Sequence, residues 1–197
     1  MAQRYKNEII EEVPEVDAVL GTTSYGDILK AIREAMEGKH FQEFKDIDYL
    51  PEKLGKRVLT TGGHFGYLKI AEGCDKHCTY CIIPKLRGKF RSVPMERLVT
   101  QAKEMAEEGV KELILVAQET TVYGTDIYGK KSLHILLKEL CKIKGIRWIR
   151  VLYCYPEEIY DELIQVMKEE PKICHYLDLP IQHASDKILR RMGRRTS

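Results

Sequence analysis

From Tyr67 onward the sequence alternates short apolar runs with segments of helical periodicity. That alternation confines the chain to repeated βα units on a parallel sheet, an α/β fold. Four units can be read. The predicted strands are Tyr67–Ala71, Leu113–Ala117, Trp148–Tyr153 and Ile173–Leu179. The second is apolar throughout, as a strand covered on both faces should be. A helix from about Pro94 places Leu98, Val99, Ala102, Met105 and Ala106 on one face and ends at Gly109. Ser132 caps a helix carrying Leu133, Leu136, Leu137 and Leu140. Pro156, Glu157 and Glu158 have the proline and first-turn acids that open a helix, and Ser185 and Asp186 start a last one that Gly193 closes.

Each predicted strand runs into an unusual polar segment: Cys74–Cys81, Gln118–Gly124, Tyr153–Pro156 and Pro180–Ser185. In βα barrels such loops share the C-terminal face of the sheet, so Cys74, Gln118, Tyr155 and Gln182 are expected around one mouth. Four units do not close a barrel, and a partial barrel is expected over residues 65–197. Residues 1–37 read separately as a helix (Ala2–Glu12), a strand (Val16–Leu20) and a helix (Asp27–Glu37), the end of another α/β domain. Residues 38–64 are polar and irregular, with Pro51, Gly55 and the Gly62–Gly63 pair, as in a linker.

No apolar run approaches the roughly eighteen residues of a membrane span, and the N-terminus lacks the pattern of a secretion signal. A cytoplasmic protein without a membrane partner is expected. Its six cysteines are then poor material for disulfides, and any cluster of them points to metal or catalysis. The net charge of +2, from 32 basic and 30 acidic residues, supplies no global field toward nucleic acid. Contact with RNA would have to be local, at Lys85, Arg87, Lys89 and Arg91 or at Arg190, Arg191, Arg194 and Arg195, which otherwise read as solvated surface.

The loop after the first strand holds three thiols in eight residues, Cys74-x-x-x-Cys78-x-x-Cys81. A structural zinc site needs a fourth ligand, for which His77 is the nearby candidate, poorly placed between the cysteines. A thioredoxin-like pair would use Cys78 and Cys81 and leave Cys74 unexplained. A 4Fe–4S cube takes one ligand per iron, so three thiolates leave one iron open, and an open iron is a place for substrate. Cys141 and Cys174 read as small core residues. Cys154 lies at the mouth after the third strand without a spaced partner, and His183 either faces the site or caps its loop.

This spacing after the first strand of a βα barrel resembles the radical S-adenosylmethionine (SAM) superfamily. The resemblance implies that Cys74, Cys78 and Cys81 ligate a 4Fe–4S cluster whose open iron SAM chelates, and that one electron cleaves SAM to methionine and a 5′-deoxyadenosyl radical. Tyr80 matches an aromatic position beside SAM, or is a packing residue. Where most members carry Gly-Gly-Glu after the second strand, this chain has Ala117-Gln118-Glu119-Thr120, which makes Gln118 and Glu119 candidates to hold the SAM amino group.

Ile70-Ala71-Glu72-Gly73-Cys74, Cys81-Ile82-Ile83-Pro84 and Leu86-Arg87-Gly88 are similar to the methylthiotransferases of that superfamily. Gln118-Glu119-Thr120-Thr121, Tyr123-Gly124, Tyr155-Pro156 and the run from Leu179 to Ser185 resemble the branch acting on an aspartate of the twelfth small-subunit ribosomal protein. The other branch modifies isopentenylated adenosine in tRNA, and a non-catalytic iron–sulfur protein binding RNA or ribosomes is the alternative of a different class. The resemblance implies a ribosomal protein or particle as substrate and a one-electron donor such as a flavodoxin or ferredoxin. It also implies an auxiliary 4Fe–4S cluster on three further cysteines. No cysteine precedes Cys74, so those ligands are absent here, and Ala2-Gln3-Arg4-Tyr5 resembles the segment just after the last of them. The family's Ser-Arg-Pro is Ser92-Val93-Pro94 here, with Arg91 as a candidate substitute, and its last two barrel strands and RNA-binding TRAM domain have no counterpart. A truncated chain, inactive alone in methylthiolation, is the expectation.

Overall fold

A computed structural model describes residues 1–50, 58–60 and 62–195. The chain begins with helix α1 (Ala2–Glu12), kinked at Lys6 where φ is 37°. Strand β1 (Ala18–Leu20), helix α2 (Ile28–Met36) and strand β2 (Phe41–Glu43) follow as a small βαβ unit. Its strands are parallel, Ala18 opposite Phe41 and Leu20 opposite Glu43, and Ala31 of α2 is buried. The expectation of an irregular linker over residues 38–64 is thereby corrected in part. Phe41-Gln42-Glu43 has no apolar run of its own and becomes a strand only by pairing with a partner more than twenty residues away. Pro51 and Gly55 lie outside the described residues.

The main sheet is built from β3 (Phe65–Lys69), β6 (Glu112–Val116), β7 (Trp148–Val151) and β8 (Ile173–Leu177), all parallel and in that order. Between β3 and β6 lie β4 (Ala71–Glu72), helix α3 (Ile83–Arg87), β5 (Arg91–Ser92) and helix α4 (Met95–Glu107). Helices α5 (Thr125–Tyr128) and α6 (Leu133–Cys141) connect β6 to β7. Helix α7 (Asp161–Glu169) connects β7 to β8, and α8 (Asp186–Arg191) follows.

One face of the sheet is fully covered. Leu68, Leu113, Leu115, Ile149, Val151 and Ile173 pack with Leu98, Ala102 and Met105 of α4, the leucines of α6, and Leu163 and Val166 of α7. This is the leucine-rich face expected from the helical periodicity. At roughly 25 cal/mol per Å² of apolar area removed from water, each such leucine contributes about 2 kcal/mol. The opposite face is only half covered. In β6 Leu113 and Leu115 are buried while Ile114 and Val116 are intermediate, and Tyr67 of β3 is exposed. The apolar second strand is therefore not covered on both faces as expected.

Two element boundaries also differ. The first predicted strand divides, because β3 ends at Lys69 and Ala71–Glu72 turns away to pair antiparallel with Arg91–Ser92. Pro156 opens a single 3-10 turn, Pro156–Glu158, rather than a helix, and Ile159 and Tyr160 are extended before α7 begins. Among the described residues no helix is long and apolar enough to cross a membrane.

Candidate functional site

The short β4–β5 ladder pins the cysteine loop at its base, turning residues 73–90 into a closed excursion above the end of β3. Gly73 makes the first bend with φ +78°, passing so close to the main chain of Gly88 and Lys89 that a Cβ would run into the Lys89 carbonyl oxygen. Further hydrogen bonds hold the loop. Cys74 N–H donates to Gly88 O (3.2 Å), Phe90 N–H to Asp75 Oδ1 (3.0 Å) and Cys81 N–H to Cys78 O (3.0 Å). The end of α8 closes it from outside. Thr79 donates from its N–H to Met192 O (3.0 Å) and from its hydroxyl to Arg191 O (3.3 Å). Gly193 lies so near the loop that a Cβ there would sit 2.8 Å from His77 O.

All three thiols of the loop are half-buried. Main-chain N–H groups point at two of them, Lys76 at Cys74 Sγ (3.5 Å) and Ile83 at Cys81 Sγ (3.4 Å). The third, Cys78 Sγ, lies 2.9 Å from the Tyr155 hydroxyl. Burial pushes the Cys74 thiol up, the Lys76 N–H opposes this, and the charges of Glu119, Cys81 and Cys78 push it up further. A Cys74 thiol that is costly to ionise on its own, with main-chain donors aimed at Cys74 and Cys81 Sγ, fits a group carrying positive charge on several centres. Among the described residues no three His, Cys, Asp or Glu side chains stand close enough to share one metal ion. A cube asks less of them, one thiolate per iron at separate corners.

Beside Cys74 opens a cavity of about 300 Å³, lined among others by Lys76, Phe90, Glu119, Tyr155 and Glu157. Glu119 is 1% exposed. Its Oε1 accepts from Thr121 N–H (3.0 Å) and from the Thr121 hydroxyl, while Oε2 has no hydrogen-bond partner among the described residues. Burial holds this carboxyl above the usual carboxylate range. An orphaned carboxylate oxygen costs free energy until a donor arrives, and a cationic donor suits it best. Gln118, its neighbour, is used differently: its Oε1 accepts from Gly73 N–H (2.8 Å), tying the second strand's loop to the cysteine loop.

Of the four residues expected around one mouth, Cys74, Gln118 and Tyr155 converge here. Gln182 is exposed, sits at φ 64° and does not line the cavity. Tyr80 is 53% exposed, and burial and the neighbouring Cys78 both raise its hydroxyl. His183 is a loop cap, accepting from Ser185 N–H at 2.9 Å. Cys141 and Cys154 are buried and pushed up to about 11 by burial, as inert structural thiols should be, and Cys174 is half-buried.

Two arginines read as solvated surface charge are instead held within the fold, Arg194 buried and Arg91 half-buried. Arg194 is 4% exposed, stacked 3.6 Å from the Tyr155 ring centroid and donating to Pro180 O (2.8 Å). Arg91 bridges to Asp48 Oδ1 (3.1 Å), which also accepts from Lys89 N–H (2.8 Å), and to Arg87 O (3.0 Å). Charge runs alone gave no hint of either, because only the fold brings Tyr155 and Asp48 to them.

Sequence comparison agrees with this geometry. Residues 68–197 match the radical SAM superfamily, two thirds of the chain, and the chain belongs to that family. Members use a 4Fe–4S cluster with SAM. Among named relatives, the ribosomal protein uS12 methylthiotransferase RimO of Lachnoclostridium phytofermentans is 68% identical over 197 residues, all of this chain and 45% of the relative. The protein of the same name from Clostridium botulinum is 55% identical over 199 aligned positions, all of this chain and 44% of the relative. The chain thus spans a little under half the length of the curated relatives it matches. Among solved structures, the radical SAM methyltransferase TsrM of Kitasatospora setae, with tryptophan and a SAM analogue bound, aligns with a TM-score of 0.54 at 15% identity. The alignment covers 68% of this chain and 26% of that one, a likeness of fold.

Proposed function

We propose that the chain is the SAM-cleaving part of a methylthiotransferase acting on an aspartate of ribosomal protein uS12. The observation that carries this reading is the pairing of the three-thiol loop with the orphaned Glu119 carboxylate across one cavity. Cys74, Cys78 and Cys81 would hold a 4Fe–4S cluster. When bound, that cluster supplies one electron to SAM, which parts into methionine and a 5′-deoxyadenosyl radical. Glu119 Oε2 receives the SAM ammonium in a charge-assisted hydrogen bond, Gln118 keeps the loop at the right height, and Tyr80 lies beside SAM. The end of α8, hydrogen-bonded to the cysteine loop through Thr79, would help to limit water at the reacting carbon.

The uS12 substrate is supported by the RimO relatives at 68% and 55% identity and by the residues that resemble that branch. The intact protein would add an auxiliary 4Fe–4S cluster as the source or carrier of sulfur and would take electrons from a flavodoxin or ferredoxin. It would work in the cytoplasm, where ribosomes are built. Of the basic clusters, Lys85, Lys89, Arg190, Arg191 and Arg195 are exposed and available to ribosomal RNA. The test is anaerobic incubation of the reconstituted, reduced chain with SAM and a uS12 loop peptide, read by mass spectrometry. Formation of 5′-deoxyadenosine that requires all three loop cysteines supports the reading, and its absence from fully reconstituted protein contradicts it.

A further inference from the structure

We infer that Tyr155 is a redox-positioning residue, donating its hydroxyl proton in a hydrogen bond to the Cys78 thiolate under the influence of two cations. The inference rests on the cluster assignment of the proposed function. It concerns a residue outside the cysteine loop and after a different strand. Tyr155 Oη lies 2.9 Å from Cys78 Sγ, a short contact for a sulfur acceptor. A thiolate bound to iron has no proton to give, so the hydroxyl must be the donor.

The Tyr155 environment is built rather than incidental. The residue is 9% exposed, and its N–H donates to Thr121 Oγ1 at 3.3 Å, fixing the backbone that carries the ring. The Arg194 guanidinium stacks 3.6 Å from the ring centroid and the Lys76 ammonium stands 4.7 Å from it. Each cation is held by an acid of the same 3-10 turn, Lys76 by Glu158 and Arg194 by Glu157 at 3.7 Å. Cations over a phenol ring draw electron density from it and make its hydroxyl a stronger donor. Arg194 cannot be a solvated charge, since it is buried and its Nε has no partner among the described residues.

Hydrogen bonds to ligand sulfurs are among the levers that set iron–sulfur potentials. Reduction adds one electron from an external reductant to the cluster. No bond forms or breaks, and the phenolic proton stays on the Tyr155 oxygen. The added negative charge is spread onto the sulfurs, so a donor at Cys78 and the two cations stabilise the reduced state more than the oxidised one. The potential is thereby raised toward what a cellular one-electron donor can reach.

The test is a potentiometric titration followed by EPR on the reconstituted chain, comparing wild type with Tyr155→Phe, Arg194→Gln and Arg194→Lys. Iron and sulfide per chain are measured first, and a wild type without a 4Fe–4S cluster would overturn the proposed function itself. Given a clustered wild type, Tyr155→Phe keeps the ring and its stacking but loses the donor. It should fall to lower potential, with the reduced-to-oxidised ratio at fixed potential dropping about threefold to tenfold, where tenfold is 59 mV for a one-electron couple. Arg194→Gln should shift in the same direction and Arg194→Lys should return most of the way. An unchanged potential in Tyr155→Phe overturns the inference and leaves the cluster reading standing. Should Tyr155→Phe hold no cluster, Arg194→Gln decides: a lower potential supports the inference, an unchanged one overturns it.

Discussion

At the scale of single residues, Glu119 shows how environment divides two adjacent side chains. Gln118 has its oxygen occupied by Gly73 N–H, whereas the buried Glu119 keeps one oxygen unpaired among the described residues. Glu119→Gln replaces a charge-assisted hydrogen bond to an ammonium with a neutral one. Calorimetry on reconstituted protein should show SAM binding weakened by about 2 kcal/mol, roughly thirtyfold. Stability of the cluster-free chain should move the other way. The folded-state pKa of Glu119 is raised by burial, so the folded chain holds this proton more tightly than the unfolded one. That contribution is complete below the unfolded carboxyl pKa of about 4.3 and is lost as pH rises through the raised folded value. Urea midpoints should therefore show Glu119→Gln gaining on wild type between pH 4 and pH 8; a constant difference would deny the buried charge. The cysteines separate as cleanly. Alanine at Cys74, Cys78 or Cys81 should each abolish iron uptake, whereas Cys141→Ala should retain it, and equal loss in all four would refute the ligand assignment. That the three cysteines share one loop was legible from spacing alone. The position of Tyr155 at the mouth was legible too, but its contact with Cys78 and its stack with Arg194 were not, because they join residues 77 positions apart and residues in different loops.

Among elements, the cysteine loop depends on the two-residue ladder of β4 and β5 more than on its own sequence. Gly73→Ala puts a side chain at φ +78° and against the Lys89 carbonyl, at a cost of about 2 kcal/mol or more concentrated in the loop. Far-UV circular dichroism should remain close to wild type while iron per chain falls severalfold, and unchanged iron content would mean the bend is not needed to place Cys74. Periodicity located every helix of the sheet region that buries a leucine-rich face. Boundaries failed where a tertiary contact overrode a local signal. Pro156, Glu157 and Glu158 are good helix openers, yet α7 starts only at Asp161. Tyr160 is held extended with its ring edge-on to His134, 5.5 Å between centroids, and its hydroxyl accepting from His134 N–H. Strand β2 was missed for the same kind of reason, its partner being distant in sequence.

For the whole molecule, four parallel strands bring three of their C-terminal loops to one cavity, and the last helix folds back to cover the cysteine loop. The mouth was legible as a consequence of parallel topology, apart from Gln182, whose exposed turn the alternation of elements could not anticipate. The arrangement serves the proposed site, in which Cys74, Cys78 and Cys81 would hold a cube whose fourth iron is left for SAM. Mössbauer spectroscopy of the anaerobically reconstituted chain, with and without SAM, tests it most directly. One 4Fe–4S cluster per chain is expected, with a change on SAM addition confined to a single iron site. Stoichiometric zinc in protein purified without oxygen, or a cluster whose four irons are indifferent to SAM, would contradict it.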